Sequence, residues 1–446
     1  MTELMAGLPA APDCRAAIGL LRRLRHGPGR QDPYPIYAEL RGLGPAIPTP
    51  WGGLLLPGFE ECSSVIKDKS WLVPSAVWRD EHTEGWRSGL AAVECTRGML
   101  QLDPPEHTWH RQAATHRLTR RALERLRPAV VRHVGACLDT LNDDLERDGH
   151  ADFVATVADA LPMAVLCELI GLPVADRDLL RGLVFDYTQV LDLSPSPAQA
   201  RRADQAAGTL GAYMSEAIER RRRQARDDLL TELVRAQDGG EQAEPELARA
   251  VATVILVGGQ ETVSGHLSAM VPALAGHADQ AAWLRAHPEA VPGAVEELLR
   301  WDPPLQMTHR VAGQDTGIAG IPVPRGTLVH LLIGSAQRDS AAVADADRLD
   351  LRRSPTAALS FGAGPHYCLG AALARMLGGE FLTALLRRCP PLRPAAPPQR
   401  PGGVTFRGMT RLLVVPDHRN AGEDRHDRGH RATFHTDRRG RARDHL

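Results

Sequence analysis

The sequence predicts a mainly α-helical domain with a small β-rich region, and three observations support this. Apolar residues recur at three- and four-residue spacing through 118–145, 154–170 and 210–218, the period of a helix with one buried face. Short apolar runs bounded by Pro and Gly, such as Leu54–Leu56 and 328–333, have the length of strands rather than helices. At 446 residues and 43% hydrophobic, the chain holds ample material for one large core.

Taken in order, residues 1–70 mix turn signals (Gly44-Pro45, Gly52-Gly53) with strand-like runs and a helix over 36–43. Helical character dominates 104–275. Its longest candidate runs over 246–274, with Pro245 near the start, where a missing N–H costs little. Two glycines interrupt its middle, Gly258 and Gly259, at a cost of roughly 1 kcal/mol each relative to Ala, so a local reason is expected. After Arg300 the chain turns Pro- and Gly-rich. A helix resumes over 369–386, and a last strand-like run covers 411–415. Residues 1–416 read as one domain. The Arg-, His- and Asp-rich segment 417–446 has too few apolar residues to offset its ordering entropy and reads as a disordered tail.

The formal net charge of −1 gives no support for nucleic acid or an acidic membrane surface as partner. Seven scattered cysteines show no zinc or redox spacing, which favours a reducing compartment. The N-terminus does not read as a signal peptide, and no run approaches the ~20 apolar residues of a membrane span. A cytoplasmic protein is expected, and a monomer.

Four segments carry chemistry. The first is Phe361-Gly362-Ala363-Gly364-Pro365-His366-Tyr367-Cys368-Leu369-Gly370. Glycines let backbone approach a flat ligand closely, and N–H groups at a helix start stabilise a thiolate. A single thiolate with no nearby second Cys or His suits an axial haem ligand better than zinc, which takes four ligands. A buried structural cysteine is the plainer alternative. The second segment is Gly258-Gly259-Gln260-Glu261-Thr262, where small residues leave room for a flat group. A mid-helix Thr can bond the carbonyl four residues back, and an acid beside a hydroxyl suits a proton relay. A core Thr beside a solvent-facing Glu fits the same letters equally well.

The third segment, Glu297-Leu298-Leu299-Arg300, is one of several Glu-x-x-Arg pairs and stands out only by its place between the first two. The fourth contains His107 and Arg111, four apart on one helical face and suited to a shared anion, although by themselves a solvated His/Arg pair is the plainer reading.

Together, in this order, these segments resemble the bacterial cytochrome P450 family of actinomycete, class I type. The likeness continues through Ala371-Ala372-Leu373-Ala374-Arg375. The resemblance implies a triangular helical domain with haem b between a distal and a proximal helix, and Cys368 as the axial iron ligand. It implies contacts to the cofactor from His107, Arg111, Gly258, Gly259, Arg310, Phe361, Gly364, His366 and Gly370. It makes Glu261 and Thr262 the catalytic acid–alcohol pair, and Glu297 and Arg300 a structural clamp completed by Arg348. Leu349 follows where the family has an aromatic, and Trp109 stands where an Arg is common.

By the same resemblance, Val257, Leu305, Gln306, Met307 and Met409 line the substrate pocket. The implied reaction inserts one atom of dioxygen into a small organic substrate, by hydroxylation or epoxidation in natural-product (antibiotic) biosynthesis. Electrons come from a ferredoxin and its NAD(P)H-dependent reductase, docking near Arg117, Arg120 and Arg121. Two other readings stay open: oxidation without net hydroxylation, such as aromatic coupling or nitration, and a non-catalytic P450-like partner protein.

Overall fold

The computed structural model describes residues 14–239, 246–354 and 358–418. Its centre is the helix Leu247–Gly276. Val251, Leu256, Leu267 and Met270 on this helix are fully buried, and other helices surround it on several sides. Ala160–Ile170, Arg177–Thr188, Pro197–Arg223 and Leu229–Gly239 pack on it, as do Val291–Trp301 and Ala371–Arg388. A helix enclosed in this way is apolar nearly all round. The main apolar cluster runs through all of these elements, including Phe153, Phe381, Leu138 and Leu141.

The helix Arg120–Asp148 begins with Thr119 Oγ1 accepting from the Ala122 N–H, and Gly149 ends it in the left-handed conformation. Pro197–Arg223 opens with a full capping box between Ser196 and Gln199. Both predicted helical stretches therefore stand, with longer bounds than periodicity alone indicates.

The β-rich region is a five-stranded sheet in the order Ile47–Pro48, Leu54–Leu56, Leu328–Leu331, Thr308–Ala312 and Trp71–Leu72. Leu54–Leu56 runs parallel to Leu328–Leu331, and the other pairings are antiparallel. Leu54, Leu55 and Leu56 are all buried because the two faces of their strand serve two separate apolar clusters. A three-stranded sheet joins Ala151–Asp152, Leu413–Pro416 and Leu392–Pro394.

Pro245 and residues 419–446 lie outside the described residues, and with them most of the expected tail. Asp417 still donates its N–H to the Pro391 carbonyl at 2.7 Å, so the ordered chain reaches at least one residue past the expected boundary. Among the described residues no helix is long and apolar enough to cross a membrane.

Candidate active site

The cysteine loop is a tight hairpin that feeds the helix Ala371–Arg388. The Cys368 N–H donates to the Phe361 carbonyl at 2.8 Å, and the Gly362 N–H to Leu359 at 2.9 Å. Gly364 has φ +63°, and a Cβ there would meet the Ile66 carbonyl at 2.7 Å, so glycine is required where the loop crosses the helix Phe59–Lys67. Arg375 lies over the Phe361 ring at 4.3 Å and donates to Tyr367 Oη at 3.0 Å, closing the loop from the helix side.

Among the described cysteines Cys368 alone is exposed. The residue as a whole is exposed, yet burial around the thiol raises its pKa; the Gly370 N–H and the Arg111 and Arg375 guanidiniums oppose that rise. Cys95, Cys137 and Cys389 are pushed up to about 11 by burial, without a comparable set of opposing groups.

Four cationic or imidazole groups are gathered beside this loop. His107 is buried and lies against His366 with ring centroids 4.2 Å apart and the rings tilted by 44°; its Nε2 has no hydrogen-bond partner. Burial, His366 and Arg111 lower the His107 pKa to about 4. Arg111 donates to the Tyr367 carbonyl at 2.8 Å. Arg310 is buried and donates to the His309 carbonyl at 2.6 Å, and burial lowers its pKa to about 10. Among the described residues no carboxylate forms an ion pair with Arg310, and the nearest acid influence is Asp103. An orphaned imidazole nitrogen and a buried, unpaired guanidinium fit a ligand that brings its own anions. The donor set therefore fits the two propionates and the single open thiolate that a haem requires.

On the central helix, Thr262 Oγ1 donates to the Gly258 carbonyl at 2.7 Å, as its spacing predicts. The two glycines do different work. A Cβ on Gly258 would meet open space, whereas one on Gly259 would strike Leu166 Cδ2 at 2.9 Å. Gly259 is thus committed to close packing on the helix Ala160–Ile170.

Burial and the charge of Asp159 raise the Glu261 pKa to about 7. Asp159 was not singled out from the sequence. It accepts from Ser264 Oγ at 2.6 Å and pairs with Arg181 Nη1 at 3.1 Å.

The clamp forms with one change of member. Arg300 and Glu297 are both buried and doubly bonded, at 2.7 and 2.9 Å. The third arginine is Arg353, whose Nε donates to Glu297 Oε1 at 3.2 Å. Arg348 has an exposed side chain and contributes only its carbonyl, accepting from both Arg300 and Arg353. The loop turns at Asp345, φ +50°, and carries Arg348 outward.

Two of the residues expected at the pocket are packed into the scaffold. Gln306 is buried and bonded to the Pro303 carbonyl and to Tyr37 Oη, and Met307 packs in the N-terminal cluster with Leu332 and Tyr37. Both belong to the scaffold, while Leu305 and Thr308 remain half-exposed. Val257 and Met409 belong to the main cluster, and Val257 also lines a cleft with Thr253, Val254, Leu100, Tyr187 and Leu191. Arg117 is occupied by Glu232 and Asp227, whereas Arg120 and Arg121 are exposed.

Comparison with known proteins bears on the family and the fold. The Cytochrome P450 family model matches residues 77–401. Cytochrome P450 monooxygenase PikC of Streptomyces venezuelae is 35% identical over 81% of this chain and 85% of its own. Mycinamicin IV hydroxylase/epoxidase of Micromonospora griseorubida is 34% identical over 85% and 94%. Among solved structures, P450BioI in complex with an acyl carrier protein carrying hexadec-9Z-enoic acid superposes with a TM-score of 0.80. It is 29% identical, and the match covers 87% of this chain and 99% of that one. The chain belongs to the cytochrome P450 monooxygenase family.

Proposed function

We propose that this chain is a haem-thiolate monooxygenase that oxidises a medium-sized or large natural-product scaffold bearing some polar groups. The observation that carries the reading is the exposed Cys368 beside a basic cluster in which, among the described residues, the buried Arg310 has no ion pair and the buried His107 Nε2 no hydrogen-bond partner. Cys368 would ligate the iron of haem b, while His107, Arg111, Arg310 and His366 would hold the propionates. When bound, the haem supplies the reductive splitting of dioxygen, one atom going to substrate and one to water.

The chain's own residues supply the rest. The Gly370 N–H favours the thiolate form of Cys368. Thr262 holds its hydroxyl at a fixed place on the central helix by bonding Gly258. Glu261, with a pKa of about 7, can give and take a proton near neutrality, as a general acid–base should. Electrons would come from a ferredoxin with its NAD(P)H-dependent reductase, for which exposed Arg120 and Arg121 offer positive charge. The names of relatives support the substrate class: a luteothin monooxygenase is 38% identical, and a structure for C–S bond formation in chuangxinmycin biosynthesis is 29% identical.

The ferrous–carbon monoxide difference spectrum tests the reading. The long-wavelength Soret band of thiolate ligation, lost in Cys368→Ala, is the expected result. Purified protein that takes up no haem would overturn it. Spin-state shifts with polyketide, peptide and terpenoid scaffolds would then define the substrate.

A further inference from the structure

One half-buried carboxylate beside the acid–alcohol pair has no role in the mechanism above. Asp159 follows a π-type turn, Val154–Ala158, and its N–H closes that turn on the Val154 carbonyl at 2.9 Å. Such turns re-aim a side chain and recur at functional sites. Here Asp159 is delivered to the central helix. Its Oδ1 accepts from Ser264 Oγ at 2.6 Å, and its carbonyl accepts from Gln260 Nε2 at 3.1 Å. Gln260 and Ser264 flank Glu261 in sequence, and Ser264 is three residues beyond it, on the same side of the helix. On its other oxygen Asp159 meets Arg181 Nη1 at 3.1 Å, from the helix Arg177–Thr188. The Arg181 side chain is 40% exposed, so the network reaches solvent.

We propose that Asp159 is a positioning residue for the proton-donating step. It holds the face of the central helix that carries Glu261 and links that face through Arg181 to solvent. The inference rests on the monooxygenase reading above. A mere tie between helices would not need an ionisable group, since even partial desolvation costs a carboxylate more than an amide. The charges around it are few and of definite sign. Ser264 and Arg181 favour the Asp159 carboxylate, while burial and Asp152, on the strand Ala151–Asp152, disfavour it. For Glu261 the one charged neighbour that matters is Asp159 itself.

The test uses the haem-loaded protein and two readouts. Infrared titration follows the protonated-carboxyl stretch of Glu261, assigned by its disappearance in Glu261→Gln. Product formed per electron is followed against pH. Asp159→Asn removes a negative neighbour, so the Glu261 midpoint moves down and the coupling optimum moves to lower pH. Product per electron falls roughly tenfold, short of the ~100-fold that loss of a general acid–base group costs. Asp159→Glu restores part of both. Ser264→Ala keeps the charge but removes a bond that favours it, so the Asp159 midpoint moves up, which serves as a second route should Asp159→Asn not fold. A Glu261 midpoint and coupling profile unchanged in folded Asp159→Asn, whatever its melting temperature, overturn the inference. Absence of the thiolate Soret band in the parent protein defeats the underlying reading instead, and the infrared titration is independent of that band.

Discussion

Arg353 Nε stands 3.2 Å from Glu297 Oε1, and the same oxygen also accepts from Arg300 and from the Asp350 N–H. One buried carboxylate thus gathers the end of the helix Val291–Trp301 and the loop 344–353 that precedes the cysteine hairpin. Removing it leaves the Arg300 guanidinium buried and unpaired. Glu297→Ala should cost about 3–5 kcal/mol in urea unfolding. Arg353→Ala should cost about 1–3 kcal/mol, and Arg348→Ala, on the surface, no more than about 0.5 kcal/mol. Equal losses at Arg348 and Arg353 would contradict the assignment.

Gly364 should not tolerate a side chain. Its positive φ and the 2.7 Å approach of a Cβ to the Ile66 carbonyl act together. Gly364→Ala should destabilise by about 2 kcal/mol or more and lower haem occupancy in proportion. The haem-to-protein absorbance ratio and the melting temperature measure both.

Arg310 gives a sign that differs between the apo- and holoprotein. Without a ligand it is a buried cation lacking an ion-pair partner, so Arg310→Met should leave the apoprotein equally or more stable. The same variant should lose haem faster to apomyoglobin, because a charge-assisted bond to a propionate is gone. Slower loss would remove Arg310 from the cofactor site.

His266 and Glu261 should make stability depend on pH in opposite directions. His266 is buried with neither ring nitrogen bonded, and burial lowers its pKa from 6.5 to about 4. The unfolded chain binds that proton first, so stability is lost as pH falls from 6.5 towards 4. Glu261 is raised from 4.5 to about 7, so its contribution is lost as pH rises through that window. His266→Leu should therefore gain on the parent most at low pH, and Glu261→Gln most near neutrality, in melting temperatures measured across pH.

Thr262→Ala should keep the haem and its Soret band while diverting electrons to peroxide. Its hydroxyl is fixed by Gly258, and nothing else on that turn replaces it. Unchanged product per electron would remove Thr262 from proton delivery.

What was legible in the sequence is what lies close together along the chain. The Cys368 hairpin, the Thr262–Gly258 bond and the Glu297–Arg300 pair each fit within one loop or one turn of helix, so their letters determine their geometry. Asp159 was not legible, because its meaning comes from a π turn and from a helix about a hundred residues away. Arg353 as the third clamp arginine was not legible, because order along a loop does not say which side chain turns inward. Gln306 and Met307 lie in the pocket segment but face the scaffold. The helix Phe59–Lys67 went unread, although Cys62, Val65 and Ile66 at three- and four-residue spacing marked its buried face.

The parallel pairing of Leu54 with Val329 has a consequence for synthesis on the ribosome. The two strands are separated by about 275 residues, and translation covers that distance in roughly 15–55 s. Throughout that interval Leu54–Leu56 can pair with Ile47–Pro48 on one edge, but its other edge has no strand to close against. The nascent chain therefore carries an apolar edge until its last third emerges, and its yield in the cell should rise with slower initiation or added trigger factor.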